Sequence, residues 1–289
     1  MFLGIVLAIF VAIFWSIGEI SYSHLSKNLD RANVYFHQYL KRSIIYLLVV
    51  VIFDISLFTK FSFDDLLVYL PIIICDLFGS YVVNISVTNG KLSVVSPIMA
   101  AYPVVDILFG IVLLNEKIGI LELLLSIIIT ISIIVLAGNQ KKSKNTPHPV
   151  KGIVFAAIYM LFVACSIYFE KNAYLENFSI YGLYFYKGLI YSLISAFFML
   201  IIGVGPAKLK ITNKDILNGT VITPIGNVLN SFSLNYGSMV IVTPISSMYS
   251  ILTNFLSRKV LKEKLTIKES ICISTILLST ILLIILGLL

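Results

Sequence analysis

Charge is what this sequence has least of. Only 12% of its 289 residues are Asp, Glu, Lys or Arg, about half the share of a soluble globular chain. Meanwhile 59% are hydrophobic and the mean hydropathy is +1.01, so water is excluded as the solvent for most of the chain and a bilayer is required. Cysteine and histidine are scarce, at three each. Cys75, Cys165 and Cys272 fall in separate apolar stretches without metal-ligand spacing, which leaves core filling as their role. His24, His37 and His148 are too scattered for a metal centre. No H-E-x-x-H, G-x-S-x-G or P-loop occurs, so neither an enzyme nor a cofactor is expected. A cleavable leader is also disfavoured. The stretch from Phe2 to Tyr22 lacks a basic first region and a small-x-small site after it, and reads as a retained helix.

What the sequence does have is a run of apolar stretches, each near the roughly 20 residues needed to cross ~30 Å of hydrocarbon. Breaking at charged and Gly/Pro/Asn clusters gives ten, at about 2–22, 34–58, 66–88, 93–114, 118–138, 152–171, 179–202, 216–236, 239–261 and 267–289. The most polar connection, Asn139 to Lys151, holds four lysines and two prolines and reads as a linker. It separates a first repeat, 1–138, from a second, 152–289. Sliding the chain on itself by 147 residues matches Gly79 to Gly226, Ser86 to Ser233, Gly90 to Gly237, Pro97 to Pro244, Tyr102 to Tyr249, Glu116-Lys117 to Glu263-Lys264 and Glu122 to Glu269. Over 79–132 against 226–279, 14 of 54 positions are identical without a gap, which marks a duplication. Upstream, Gly4-Ile5-Val6 echoes Gly152-Ile153-Val154 at an offset of 148. An odd number of spans per copy makes the second enter the membrane in the opposite sense. The sequence therefore predicts an all-α integral membrane protein of about ten transmembrane helices, arranged as two five-helix inverted repeats.

The order of motifs resembles a known family. Trp15 stands late in the first span (FWSIGE), a helix opens S-x-x-S-P-x-x-x-x-Y from Ser93 to Tyr102, and an x-E-K turn follows nineteen residues after Pro97. The unit returns from Thr243-Pro244 to Glu263-Lys264. This is similar to the EamA repeat of the drug/metabolite transporter superfamily. The glycine usual before the turn glutamate is Asn115 in one copy and Lys262 in the other, and the family's basic residue in span two is represented by Lys41-Arg42. The resemblance implies ten helices, no ATPase, and export or uptake of small metabolites such as amino acids, amines or choline-like compounds.

Candidate chemistry concentrates in a few spans. Asp76, Ser80, Asn84 and Thr88 recur every four residues, so a helix carries them as one polar stripe. Adding 147 lands on Thr223, Asn227, Ser231 and Asn235, with Asn230 beside them. The stripes suit either interhelical hydrogen bonding or the lining of a central cavity, and an ionisable Asp76 at mid-membrane favours the cavity. Glu19 and Asp106 are further acids within spans. Trp15 lies one turn before Glu19 and Tyr22 three residues after it; Tyr102 lies one turn before Asp106 and matches Tyr249. Aromatic faces beside a carboxylate suit a desolvated ammonium, although Trp15 and Tyr22 also suit an interfacial belt. Asp106 also suits a buried pairing with Lys41, Arg42 or Lys187. On span seven Tyr181, Tyr184, Lys187 and Tyr191 share a face; a belt with a snorkelling lysine covers the early members, and Tyr191 is deep enough to line a pore. Pro103, replaced by Ser250 in the second copy, is the expected kink. Asp76 against Thr223 and Asp106 against Thr253 put the unmatched acids in the first copy, where a substrate's positive charge is expected.

The function expected is secondary transport of a small polar metabolite, above all a cationic or zwitterionic amine, by alternating access in a multi-pass protein of the cell membrane, with a proton as candidate coupling ion. The alternative within the superfamily is a flippase of lipid-linked sugars or other amphiphiles. A membrane enzyme or accessory subunit would need a catalytic cluster at a surface, and none is visible. The net charge of +7 is met by anionic lipid headgroups, not nucleic acid. The odd-numbered loops hold most of the lysine and arginine, which places them in the cytoplasm and both termini outside; the family pattern places the termini inside. On the charge reading, a reporter fused after Leu289 that works only in the cytoplasm stays inactive in whole cells, and a working fusion overturns that reading.

Overall fold

The computed structural model describes residues 2–28, 30–105, 109, 120–138, 148–201, 203, 218–237, 239–262 and 265–288. These are helical throughout apart from short turns. In order they form α1 (Phe2–Asn28), α2 (Arg31–Phe53), α3 (Phe63–Asn89), α4 (Leu92–Met99), α5 (Ile120–Gly138), α6 (Pro149–Leu175), α7 (Ile180–Leu200), α8 (Thr223–Tyr236), α9 (Met239–Ser247), α10 (Tyr249–Val260) and α11 (Ile267–Leu288). Among the described residues five helices, α1, α2, α3, α6 and α7, are long and apolar enough to cross a membrane.

The sequence states why helices start where they do. Asp30 caps α2 by accepting from the Asn33 amide, and Ser62 caps α3 by accepting from Asp65, with Asp64 and Asp65 in the first turn facing the positive helix end. In α11, Thr266 and Glu269 form a reciprocal capping box: the Glu269 carboxylate accepts from the Thr266 amide at 2.7 Å and the Glu269 amide donates to Thr266 Oγ1 at 3.3 Å. Glu269 also receives Lys91 Nζ from the α3–α4 turn at 2.9 Å. The second copy opens at Pro149, three residues before the expected start, because proline fits the first helical turn, where no intrahelical N–H bond is lost.

Packing follows the duplication. Helix α1 lies along α8 and α3 lies along α6, while α2 lies along α7 and α5 along α11. A two-fold relation thus exchanges the copies, and it holds at single residues. Ser86 Oγ donates to the Gly152 carbonyl at 2.8 Å, and its duplicate Ser233 Oγ donates to the Gly4 carbonyl at 2.7 Å. A Cβ on Gly152 would lie 2.7 Å from the Gly90 nitrogen, and one on Gly4 would lie 3.0 Å from Gly237. Both contacts let backbones touch, the usual way helices associate in lipid. Apolar side chains such as Phe10, Ile13 and Ile17 of α1 and Ile44, Leu48 and Val51 of α2 face outward, as expected where the solvent is hydrocarbon.

Fourth spans are broken in both copies. α4 stops at Met99, residues 100–102 form a turn, and helix resumes at Pro103; the second copy breaks at Met248 between α9 and α10. The kink expected at Pro103 therefore recurs where the second copy has Ser250, so the break belongs to the architecture and Pro103 is compatible with it rather than its sole cause. Within α4, Pro97 lacks an N–H and leaves the Ser93 carbonyl without its helical donor. Asn254 Nδ2 of the other copy supplies one at 2.8 Å. The expected Glu116 and Glu263 turns and the linker residues 139–147 lie outside the described residues.

Replacing Gly152 by valine is expected to force α3 and α6 apart and to cost about 1–3 kcal/mol, the range for overpacking. The readout is a lowered unfolding temperature in detergent, and Gly4→Val at the duplicated contact should behave alike.

Candidate functional site

Where the copies meet lies a partly open cavity of about 140 Å³. From the first copy it is lined by Trp15, Glu19 and Tyr22 of α1, Gln38 and Arg42 of α2, and Asp76, Gly79 and Ser80 of α3. The second copy contributes Tyr159, Ser166 and Glu170 of α6, Lys187 of α7, and Thr223, Asn227, Asn230 and Ser231 of α8. Tyr102 and Tyr249 reach it from the two helix breaks.

One side of the cavity is built on α1. Trp15, Glu19 and Tyr22 fall at i, i+4 and i+7, hence on one face. The indole donates from Nε1 to Asn227 Oδ1 at 2.9 Å, and Asn227 is itself fixed by donating to the Tyr46 hydroxyl at 3.0 Å. Tyr249 meets the Trp15 ring edge-on with centroids 5.6 Å apart. Gly226 makes this possible, since a Cβ there would lie 2.7 Å from the indole. Glu19 accepts a 2.6 Å hydrogen bond from Ser96 in α4. Tyr102 donates to the Thr243 carbonyl at 3.0 Å, tying the first break to α9.

The other side carries the remaining charges. Lys187 Nζ is 2.7 Å from Asp76 Oδ2 and 4.0 Å from Glu170 Oε2. Ser166 donates to the second Asp76 oxygen at 2.9 Å, and Tyr174 donates to Glu170 at 2.8 Å. Arg42 donates from Nη1 to Ser80 Oγ at 2.8 Å. The Lys187–Asp76 and Ser166–Asp76 contacts cross between the copies, so Asp76 holds the halves in register as well as lines the site.

Of the residues singled out in the sequence, the structure gathers Trp15, Glu19, Tyr22, Asp76, Ser80, Tyr102, Asn227, Asn230 and Tyr249 around the cavity. Asn84 stands behind the wall, donating to Ser26 at 3.0 Å and to Tyr22 at 3.4 Å. Tyr191 is fully buried against Tyr39 and Tyr46 and does not line the cavity. Asp106 lies outside the described residues. One reading is corrected. Lys187 does not snorkel: its side chain is 4% exposed and ion-paired. Of the first-copy acids on the wall, Asp76 is paired with Lys187 while Glu19 is not, and a further acid, Glu170, comes from the second copy. Glu170 went unseen because, next to Lys171, it reads as the polar end of a span; α6 runs on to Leu175. The signal was there, since an offset of 148 pairs Glu170 with Tyr22.

The sequence model of the EamA-like transporter family matches residues 2–138 and again 150–285. The chain belongs to the EamA-like transporter family. It is thus a multi-pass membrane transporter of the drug/metabolite transporter superfamily, whose members are transporters, not enzymes. A solved structure titled only "Crystal structure of protein" superposes with a TM-score of 0.65 over 99% of both chains at 12% identity, which shows a shared fold. No curated relative matches in sequence. In this EamA-like chain the two family repeats coincide with the two halves that wall the cavity.

Lys187→Met is expected to leave Asp76 and Glu170 uncompensated in a buried setting and to cost about 3–5 kcal/mol, the range for breaking a buried pair. Adding Asp76→Asn to the same chain should recover most of the lost thermal stability. A double variant no more stable than Lys187→Met alone would show that the pair does not couple.

Proposed function

We propose that this transporter is a secondary carrier of a small cationic or zwitterionic amine in the cell membrane, working by alternating access between two inverted five-helix repeats, ten helices in all. The observation that carries the reading is Glu19 set among Trp15, Tyr22, Tyr102 and Tyr249 in a cavity between the copies. Aromatic faces and a carboxylate replace the hydration of an ammonium through cation–π attraction and charge pairing. The broken fourth spans meet the site at Tyr102 and Tyr249, in keeping with discontinuous helices at transporter binding sites. Rocking of one repeat against the other would work about these breaks and the glycine contacts.

The lining supports a small polar cargo. Charged, hydroxyl and amide side chains from both copies wall the cavity, which suits a polar metabolite better than an acyl chain, and the flippase alternative is the weaker one. The coupling ion is proposed to be a proton, with Glu19 as its carrier when the amine is absent.

In proteoliposomes with an imposed proton gradient, wild-type protein is expected to accumulate or expel at least one amine from a panel of amino acids, polyamines and choline. Glu19→Gln should lower that flux at least tenfold while leaving the unfolding temperature within a few degrees. Equal flux in the variant would remove Glu19 from the site, and the absence of any amine flux in wild type would defeat the proposal.

A further inference from the structure

Five ionisable side chains of Asp, Glu, Lys and Arg type line the cavity among the described residues: Glu19, Asp76, Glu170, Arg42 and Lys187. Three of them form one group of formal charge −1, because Lys187 lies between Asp76 at 2.7 Å and Glu170 at 4.0 Å. Two are left over. Glu19 is held by a serine hydroxyl, and Arg42 is held at one nitrogen by Ser80. Among the described residues no carboxylate comes within 4.0 Å of the Arg42 guanidinium. Asp76 acts on it only at longer range, both Asp76 oxygens being engaged by Lys187 and Ser166. Arg42 is only 8% exposed, and its Nε is buried without any hydrogen-bond partner in the protein.

A buried guanidinium is costly unless an anion compensates it, and its planar fork matches a carboxylate with two parallel hydrogen bonds. We propose that Arg42 is the seat of the cargo's carboxylate, so that the cavity takes a zwitterion held between Arg42 and Glu19 and discriminates against amines that carry positive charge alone. This rests on the amine reading of the Glu19 side and adds the opposite pole. The wall itself argues against a stronger anion such as a phosphate monoester: with three acids and two bases it has a formal charge of −1, which a single carboxylate beside an ammonium tolerates and a dianion does not. Asn230, 7% exposed with an unpartnered Oδ1 in the same wall, adds a free acceptor suited to an ammonium or amide proton and not to an anion.

The experiment is a binding titration, by thermal shift and by calorimetry, of purified full-length transporter with the L-α-amino acids. Each is set beside its carboxamide, its decarboxylated amine and the matching carboxylic acid without the amine. Wild-type protein is expected to bind at least one amino acid at least tenfold more tightly than its carboxamide or amine. Arg42→Gln should lose that preference, binding acid and amide alike, while Arg42→Lys should keep part of it, because it retains the charge but not the fork. Glu19→Gln should weaken acid and amide together and leave their ratio intact. Elution volume and unfolding temperature without ligand verify folding, and Arg42→Lys stands as the informative variant if Arg42→Gln does not fold. Equal binding of acid, amide and amine by wild type would remove Arg42 as the carboxylate seat and leave the amine reading standing. Preference retained in Arg42→Gln, or undiminished in Arg42→Lys where only that variant folds, would do the same. Amine-free acids that bind as tightly as the amino acids, and through Arg42, would instead remove the amine reading and leave the seat. No binding by any member of the panel would overturn both.

Discussion

Inside hydrocarbon, two forces that shape soluble proteins are missing: helices gain nothing by hiding apolar surface from lipid, and buried polar groups find no water. Cohesion must then come from backbones that approach closely and from polar groups that satisfy one another. The chain meets the first need with matched glycine and serine contacts, Gly152 against Gly90 beneath Ser86 and Gly4 against Gly237 beneath Ser233. It meets the second with Lys187, which is 4% exposed on the cavity wall and is ion-paired in place by Asp76 of the other copy. That pairing, with the bond from Ser166, engages both oxygens of the Asp76 carboxylate.

Duplication has preserved scaffold and released chemistry. The serine donors, the glycine contacts and the breaks in both fourth spans obey the two-fold relation, because each solves the same packing problem at an equivalent place. The acids on the cavity wall do not obey it. Asp76 corresponds to Thr223 at its duplicate position, and Glu170 corresponds to Tyr22. A binding site on a pseudo-symmetric interface needs such departures, since an asymmetric molecule with two unlike ends cannot be matched by two identical halves.

Much of the cavity was legible along the chain. The four-residue spacing of Asp76 and Ser80, repeated at Thr223 and Asn227, marks a polar helix face, and the spacing of Trp15, Glu19 and Tyr22 marks another. Periodicity identifies a face without naming the face opposite. Asn84 shares the stripe yet turns to Ser26 and Tyr22, since helical drift carries it behind the wall. Tyr191 shares a face with Lys187 but is held in a cluster of tyrosines from α2 and α7. Arg42 and Lys187 look alike in sequence, as basic residues in tyrosine-rich spans. Only the helices that happen to face them separate the neutralised lysine from the uncompensated arginine.

By itself the sequence determined the solvent, the helical class and the duplication, because low charge, span-length apolar runs and a constant offset are properties read along one dimension. The tertiary structure alone decided which charges cancel. Coulomb pairing depends on distances of a few ångströms between residues more than a hundred positions apart, such as the 2.7 Å from Lys187 to Asp76, and no local pattern encodes a distance between helices.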